Sequence, residues 1–238
     1  MEKRAVILAG GRGTRLLPYT VTLPKPLVPV GDWPVMEIVI RQLARAGFAR
    51  ITLAVNHQAE LIRAYFGDGA KWSVAIDYSL ETTPLGTMGP LRLIRDLPQH
   101  FLVMNGDILT DLDFASLLEA HRSDEGRLFT IAAANREQTI DFGVLDVDGT
   151  NVLTGFHEKP KIPYLVSMGV YCVARDVLAW VPDGRAFGFD QLMLALLADG
   201  RKVQVAPYAG FWLDIGRPSD YQFAVEQWDE LRPRLLPA

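Results

Sequence analysis

The stretch Ala5-Val6-Ile7-Leu8-Ala9-Gly10-Gly11-Arg12-Gly13-Thr14-Arg15-Leu16, followed at 24–27 by Pro-Lys-Pro-Leu, decides how this chain is read. Ala5 to Leu8 form a short apolar run, the pattern of a buried strand. Gly10, Gly11 and Gly13 then let the backbone turn tightly and approach a ligand without Cβ interference. Backbone N–H groups in such a loop can point at phosphate oxygens. Arg15 adds a forked cation and Lys25 a point-like one, stiffened by Pro24 and Pro26. Two cations beside a glycine loop point to an enzyme that handles a nucleoside triphosphate. The glycines alone are equally compatible with a plain strand–turn–helix carrying exposed basic residues. Two familiar phosphate motifs are excluded. Gly13-Thr14-Arg15 lacks the Lys-Ser/Thr ending of a P-loop, and Leu16 stands where a dinucleotide fingerprint needs its third glycine.

Working outward, apolar β-rich runs recur near 5–9, 51–56, 74–79 and 101–104. Helix-like stretches lie between and after them near 34–47, 58–66, 88–96 and 113–122. In the first of these helices Glu37, Arg41 and Arg45 share one face, Ile38, Leu43 and Ala46 supply an apolar face, and Gly47 is a stop. Such alternation predicts a mostly parallel sheet with helices on both faces. The second half is richer in strands: 129–134, 142–147, 151–156, 166–173 and 203–206, with Asp148-Gly149 as a hairpin turn. Helices are expected over 189–197 and 219–231, and a frayed end over 232–238. No repeat or linker interrupts the pattern. The expectation is one domain over 1–238, with a nucleotide half to about 125 and a sugar half from about 126. Loops at 9–15, 81–89 and 105–107 would each follow a strand, where ligands of open α/β sheets bind.

Composition narrows the choice. The chain has 238 residues, 49% hydrophobic and 22% charged, with a net charge of −4. That is ordinary for a globular protein and disfavours a nucleic-acid binder, which carries a basic excess. The single cysteine, Cys172, sits in an apolar strand-like run and reads as a buried structural thiol. The first apolar run is too short for a signal or membrane span, so no membrane partner and a cytoplasmic location are the default expectations.

The longer match reaches a family. Ala5 to Leu16 with Pro24 to Leu27 closely resembles the signature of the sugar-1-phosphate nucleotidyltransferases, or nucleotide-sugar pyrophosphorylases. Glu81 to Leu91, Asn105-Gly106-Asp107, Phe142-Gly143-Val144, Glu158-Lys159-Pro160 and Trp212-Leu213-Asp214-Ile215-Gly216 follow in the family's order. The resemblance implies an α/β, Rossmann-like three-layer sandwich with a mostly parallel mixed central sheet and a small β-rich sugar-binding portion. It implies attack by a sugar-1-phosphate oxygen on the α-phosphorus of a nucleoside triphosphate, with pyrophosphate leaving. Positioning and charge neutralisation dominate such a reaction, because the attacking phosphate is already ionised. No nucleophilic triad is needed. Pro84-Leu85-Gly86-Thr87 looks most like mannose- and heptose-type guanylyltransferases, which makes GTP the expected donor. Uridylyl or thymidylyl transfer is the alternative, and a non-catalytic nucleotide-sugar sensor a further one. No counterpart of the left-handed β-helix of some relatives is expected; a homodimer is compatible with the resemblance.

By the same resemblance Arg15, Lys25, Asp107 and Asp214 are the catalytic residues. Asp107 and Asp214 also form a magnesium pair, each ending an apolar run. Leu8, Ala9, Gly10, Gly11, Gly13, Thr14, Glu81, Gly86 and Thr87 bind the nucleotide, with Glu81 suited to a guanine edge or to solvent. Asn56 and His57 end a strand close by. Asn105, Gly143, Glu158, Lys159, Ser167, Gly169 and Trp212 take the sugar phosphate. Phe142 stands where relatives often have tyrosine, and Ser167-Met168-Gly169 where they often have Asn-Ala-Gly, so sugar identity is expected to turn on these positions. Asp111 and Asp113 are read as caps of the helix beginning near Phe114.

Overall fold

The first strand, β1 (Lys3–Leu8), alternates its side chains between two apolar clusters: Ala5 and Ile7 enter one, Val6 the other. A strand covered on both faces needs a layer above and a layer below, which is why its sequence is an unbroken apolar run. The computed structural model describes residues 2–11, 13–56 and 58–237. After β1 come the short ribbon β2 (Pro29–Val30) and β3 (Trp33–Pro34), then α1 (Val35–Arg45), β4 (Phe48–Val55), α2 (Ala59–Phe66) and β5 (Ala75–Leu80). Next are β6 (His100–Asn105), β7 (Ile108–Thr110), α3 (Phe114–Arg122), β8 (Phe129–Thr139), β9 (Val144–Val147) and β10 (Leu153–His157). The series closes with β11 (Lys161–Ala174), α4 (Phe189–Ala198), β12 (Val203–Tyr208), β13 (Trp212–Asp214), α5 (Pro218–Glu226) and α6 (Trp228–Leu235).

Seven strands form the central sheet in the order β12-β8-β11-β6-β1-β4-β5. Only β11 is reversed: it pairs antiparallel with β6 and β8, while every other neighbouring pair is parallel. One face is covered by α1, α2 and α3 through Met36, Leu43, Ile62, Phe66, Phe114 and Leu118. The other is covered by α4, through Leu192 and Leu196, and by 3-10 turns carrying Leu91 and Val177. The result is a three-layer α/β sandwich with a mostly parallel, mixed sheet. A smaller cluster joins Leu16, Val30, Ile38, Leu109 and Ile215 to Trp228 and Leu231 of α6. The outer halves of β8 and β11 leave the sheet and pair only with each other, from Asn135↔Leu165 to Thr139↔Lys161. The hairpin β9–β10 turns at Asp148-Gly149 as expected, although its strands begin at Val144 and Leu153 rather than at 142 and 151.

Three other expectations need correction. The helix expected over 88–96 is a 3-10 turn, Gly89–Leu93. The buried residues in and around it, Met88, Leu91, Ile94 and Leu97, recur every third position, the 3-10 period. The terminal helix over 219–231 is two helices broken at Gln227, which redirects the chain and seats Trp228 against Gly31. The end is not frayed from 232: α6 runs to Leu235, which is 2% exposed, and Gln42 donates to its carbonyl at 2.9 Å. Glu37 shares a face of α1 with Arg41, as expected. It is fully buried and accepts from Arg41, Tyr65 and Trp72, which together hold its carboxyl below the ordinary range against the opposing effect of burial. Cys172 is buried, and burial pushes its thiol up, as a structural cysteine requires.

Candidate active site

The site is built where parallel strands stop. Pairing continues one step past the strand ends: Ala9 N donates to Ala54 O at 2.8 Å, Gly106 N to Leu8 O at 3.0 Å, and Glu81 N to Val55 O at 2.9 Å. The three loops expected to converge therefore start side by side, at the carboxyl edge of the sheet. They enclose a cavity of about 440 Å³. Leu8, Gly10, Gly11, Gly13, Thr14 and Arg15 line it from the glycine loop, Glu81, Gly86 and Thr87 from the loop after β5, and Lys25, Asn105 and Asp107 complete it. Ala9 lines a smaller adjoining pocket with Lys25 and Asp107. Leu16, Pro84, Pro90 and Gly216 also line the large cavity, and sequence reasoning did not assign them. Asn56 lines it too; Arg12 and His57 lie outside the described residues.

Gly13 shows why glycine stands there. Its φ is +64°, and a Cβ would lie 2.9 Å from the Thr20 methyl. Thr20 Oγ1 in turn donates to Gly13 O at 2.8 Å, so the loop is braced from behind. Gly10 is small for another reason: a Cβ would stand 2.7 Å from Glu81 Oε1. Glu81 is 7% exposed, and its Oε2 accepts from Leu85 N at 3.0 Å. Burial raises its carboxyl above the ordinary range, partly offset by that N–H. A buried acceptor with one oxygen aimed into a nucleotide-sized cavity is suited to reading a ligand's donors.

The loop after β5 is held from the far half of the chain, through contacts no local pattern reveals. Met88 N and Gly89 N both donate to Phe187 O, at 2.9 and 3.1 Å, and Phe187 N donates to Leu85 O at 2.8 Å. Thr87 Oγ1 accepts from Phe189 N at 2.7 Å. Gly86, with φ +76°, lies so close that a Cβ would meet Phe187 O at 2.8 Å.

The acidic pair has its own scaffold. Asp107 immediately precedes β7 and Asp214 ends β13; the two strands pair antiparallel, with Asp214 opposite Ile108. Lys25 forms an ion pair with Asp107, the two side chains being 12% and 20% exposed. Burial and the neighbouring Asp107 raise the Asp214 carboxyl, while Lys25 and Arg15 oppose that rise. Asp107 Oδ1 and Asp214 Oδ1 are both buried without a hydrogen-bond partner among the described residues. Two orphaned hard oxygens, one of them on the cavity-lining Asp107, fit a magnesium ion, which takes one or two carboxylates and leaves its remaining positions to water and phosphate; Asp214 itself does not line the cavity.

The residues read as sugar-binding are placed elsewhere. None except Asn105 lines the large cavity. Gly169 adjoins it through Asn105: its φ is +73°, and a Cβ would lie 2.6 Å from Asn105 Nδ2. It sits in a bulge of β11 between Ser167 and Tyr171, and Gly169 N donates to Ser167 Oγ at 3.3 Å. Ser167 Oγ donates to Tyr171 Oη at 3.2 Å. Trp212 Nε1 donates to Met168 O at 2.9 Å, with the Arg136 guanidinium 4.7 Å over its ring. Gly143 lies against the Phe156 ring and near Glu158 Oε2, and Lys159 has a left-handed φ of +44°. Asp113 caps α3, accepting from Ser116 N at 3.0 Å. Asp111 does not cap that helix; its carboxylate is taken by Tyr208, Phe211 N and Arg234.

Known proteins resemble this chain along most of its length. A family model described as nucleotidyl transferase matches residues 4–230. UTP–glucose-1-phosphate uridylyltransferase of Synechocystis sp. is 33% identical, over 93% of this chain and 62% of its own length. Mannose-1-phosphate guanylyltransferase of Mycobacterium tuberculosis is 33% identical, over 91% of this chain and 62% of its own. The chain thus spans about three-fifths of the length of these curated relatives. The crystal structure of HddC from Yersinia pseudotuberculosis complexed with GMP-PN superposes with a TM-score of 0.72 at 24% identity, covering 95% of this chain and 99% of that one, a likeness of fold. Among the described residues no helix is long and apolar enough to cross a membrane.

Proposed function

The chain belongs to the nucleotidyl transferase family, and from that premise we propose that it transfers GMP from GTP to a hexose- or heptose-1-phosphate, giving a GDP-sugar and pyrophosphate. The observation that carries the reading is the single cavity in which the glycine loop, Arg15, Lys25, Asp107 and Glu81 meet. A sugar-phosphate oxygen forms a bond to the α-phosphorus while the α–β bridging bond breaks, its electron pair leaving on pyrophosphate. Arg15 holds the triphosphate and takes up charge on the leaving group. Lys25, held by Asp107, presents its ammonium to the reacting phosphates. Magnesium would be held by Asp107 and Asp214, and would supply charge neutralisation on the phosphates when bound.

Glu81 supports guanine. Guanine's edge offers N1–H and N2–H₂, two donors that a carboxylate can accept together. Uracil and thymine offer one N–H between two carbonyls, so a carboxylate there faces at least one acceptor. The Synechocystis relative's name favours uridylyl transfer as the second reading, and this position separates the two. Sugar recognition is assigned to Asn105, Gly143, Glu158, Lys159, Ser167, Gly169 and Trp212, in the half of the single domain from about 126 together with Asn105. The site as read belongs to a cytoplasmic enzyme using free nucleotides. Pyrophosphate release from each nucleoside triphosphate against a panel of sugar-1-phosphates tests the proposal. Turnover with GTP and mannose- or heptose-1-phosphate is expected. Turnover confined to UTP or dTTP overturns the base assignment, and no release with any pair overturns the activity.

A further inference from the structure

The two candidate magnesium ligands are spaced by a very small piece of structure. The pairing of β7 and β13 is three residue pairs long: Thr110↔Trp212, Leu109↔Leu213 and Ile108↔Asp214. At its inner end Ile215 N donates to Asp107 O at 3.0 Å, which carries the pairing one step on, to Asp107 itself. Two-stranded ribbons of this length do not hold their shape alone. The ribbon's outer end must therefore be fixed by something else.

That end converges on Asp111. Its Oδ1 accepts from Phe211 N at 2.7 Å and from Tyr208 Oη, and its Oδ2 accepts from Arg234 Nε. Asp111 N donates back to Phe211 O at 3.3 Å, an oxygen that also accepts from Thr110 Oγ1 at 2.7 Å. The Arg234 guanidinium stands 5.5 Å over the Phe211 ring. Gln42 Nε2 bridges Thr110 O and Leu235 O, at 2.8 and 2.9 Å. One carboxylate thus ties the end of β12, the residue entering β13, and α6 to the strand that follows Asp107. Its side chain is 18% exposed, so its bonds to Tyr208 and Phe211 are partly shielded from competing water, while Arg234 on the outer side is 49% exposed.

We propose that Asp111 is a positioning residue for the Asp107–Asp214 pair, fixing the separation of the divalent-cation ligands from the opposite end of the β7–β13 ribbon. The inference rests on the reading of that pair as a cation site. Outer partners that orient ligands typically affect metal affinity about 10- to 100-fold. The test is Mn²⁺ binding followed by electron paramagnetic resonance, on the full chain with a non-hydrolysable GTP analogue. Asp111→Ala is expected to weaken Mn²⁺ binding at least about tenfold, with the analogue's affinity in EDTA unchanged. Asp111→Asn keeps an acceptor for Phe211 N and should lose less. If Asp111→Ala does not fold, Asp111→Asn and Arg234→Ala decide the matter, each expected to weaken Mn²⁺ without weakening the analogue. Unchanged Mn²⁺ affinity in the folded variants overturns the proposal. An equal loss of analogue affinity in EDTA also overturns it, because that reports general loosening. Asp107→Asn separates the two levels: if it abolishes Mn²⁺ binding while the Asp111 variants bind normally, the cation site stands and the positioning role falls. If the unsubstituted chain binds no Mn²⁺ beside the analogue, both fall.

Discussion

Replacing Glu81 with glutamine changes one atom's chemistry in the base cavity and should invert what the site accepts. The carboxylate is 7% exposed, with Oε2 committed to Leu85 N and Oε1 facing the space that Gly10 leaves open. Leu85 N–H still needs an acceptor in the variant, so the amide oxygen takes that side. The amide NH₂ then points into the cavity. Guanine's N1–H and N2–H₂ would meet a donor instead of an anion. The variant loses a hydrogen bond to a charged group, about 1.5–3 kcal/mol, and leaves donors unpaired in a dry site at a cost of about 1–3 kcal/mol more. These terms overlap, so a net loss of about 2–4 kcal/mol is expected, or about 30- to 1,000-fold in kcat/KM for GTP. UTP gains a donor for its O4 carbonyl and should improve. The assay is coupled pyrophosphate release with GTP and UTP at fixed sugar phosphate. Stability is a control: the carboxyl is already raised by burial, so a neutral amide should not lower the melting temperature. A GTP-to-UTP ratio that stays within about threefold of the parent's, less than 1 kcal/mol, would refute the assignment of Glu81 to the base.

Asp107→Asn should remove most turnover in magnesium while leaving circular dichroism and melting temperature unchanged, because it also relieves the charge repulsion at Asp214; near-normal turnover would sink the cation-ligand role. Acid stability should depend on His121, fully buried with Nδ1 on Thr130 Oγ1, whose pKa is pushed down to about 4, chiefly by burial and then by His100. The unfolded chain takes up that proton near 6.5, so the stability is intact above that pH and is lost as pH falls toward 4, by about 3 kcal/mol; a His121→Gln variant should show a flatter melting profile between those values, and an unchanged slope would remove His121 as the cause. Gly31→Ala should destabilise by about 3 kcal/mol, since φ is +60° and a Cβ would lie 2.0 Å from Trp228 Nε1; urea unfolding followed by tryptophan fluorescence checks it, and a midpoint unchanged from the parent's would mean that the contact is not rigid.

What the sequence made legible was local. The apolar run of β1, the glycines and the cations lie within a few turns of one another, and the strand–helix alternation is a property of short windows. Glu81, Asp107 and Arg15 could be brought to one cavity from motif order, because parallel strands deliver their loops to one edge. The features that stayed hidden need partners distant in the chain. Glu37 is buried by Tyr65 and Trp72, 28 and 35 residues away in sequence. The clamp on the base loop comes from Phe187 and Phe189, a hundred residues away from Thr87 in sequence. The β11 bulge at Ser167 to Tyr171 leaves only an ordinary glycine as its trace. The 3-10 turn at Gly89–Leu93 is hidden because apolar positions three apart suit both helix types, so the pattern alone does not separate them.

The order of strands across the sheet also sets the order in which a nascent chain can acquire its parts. β1, β4, β5 and β6 are contiguous in the sheet and are all synthesised before residue 106. The glycine loop and the floor of the cavity can therefore assemble early. The Phe187 clamp follows much later, and the partner strand that brings Asp214 opposite Ile108 later still. A partly made chain can thus present a phosphate cradle while lacking the second carboxylate and the brace on its base loop. On the proposed reading, a chain halted before Asp214 would hold a nucleotide without being able to turn it over.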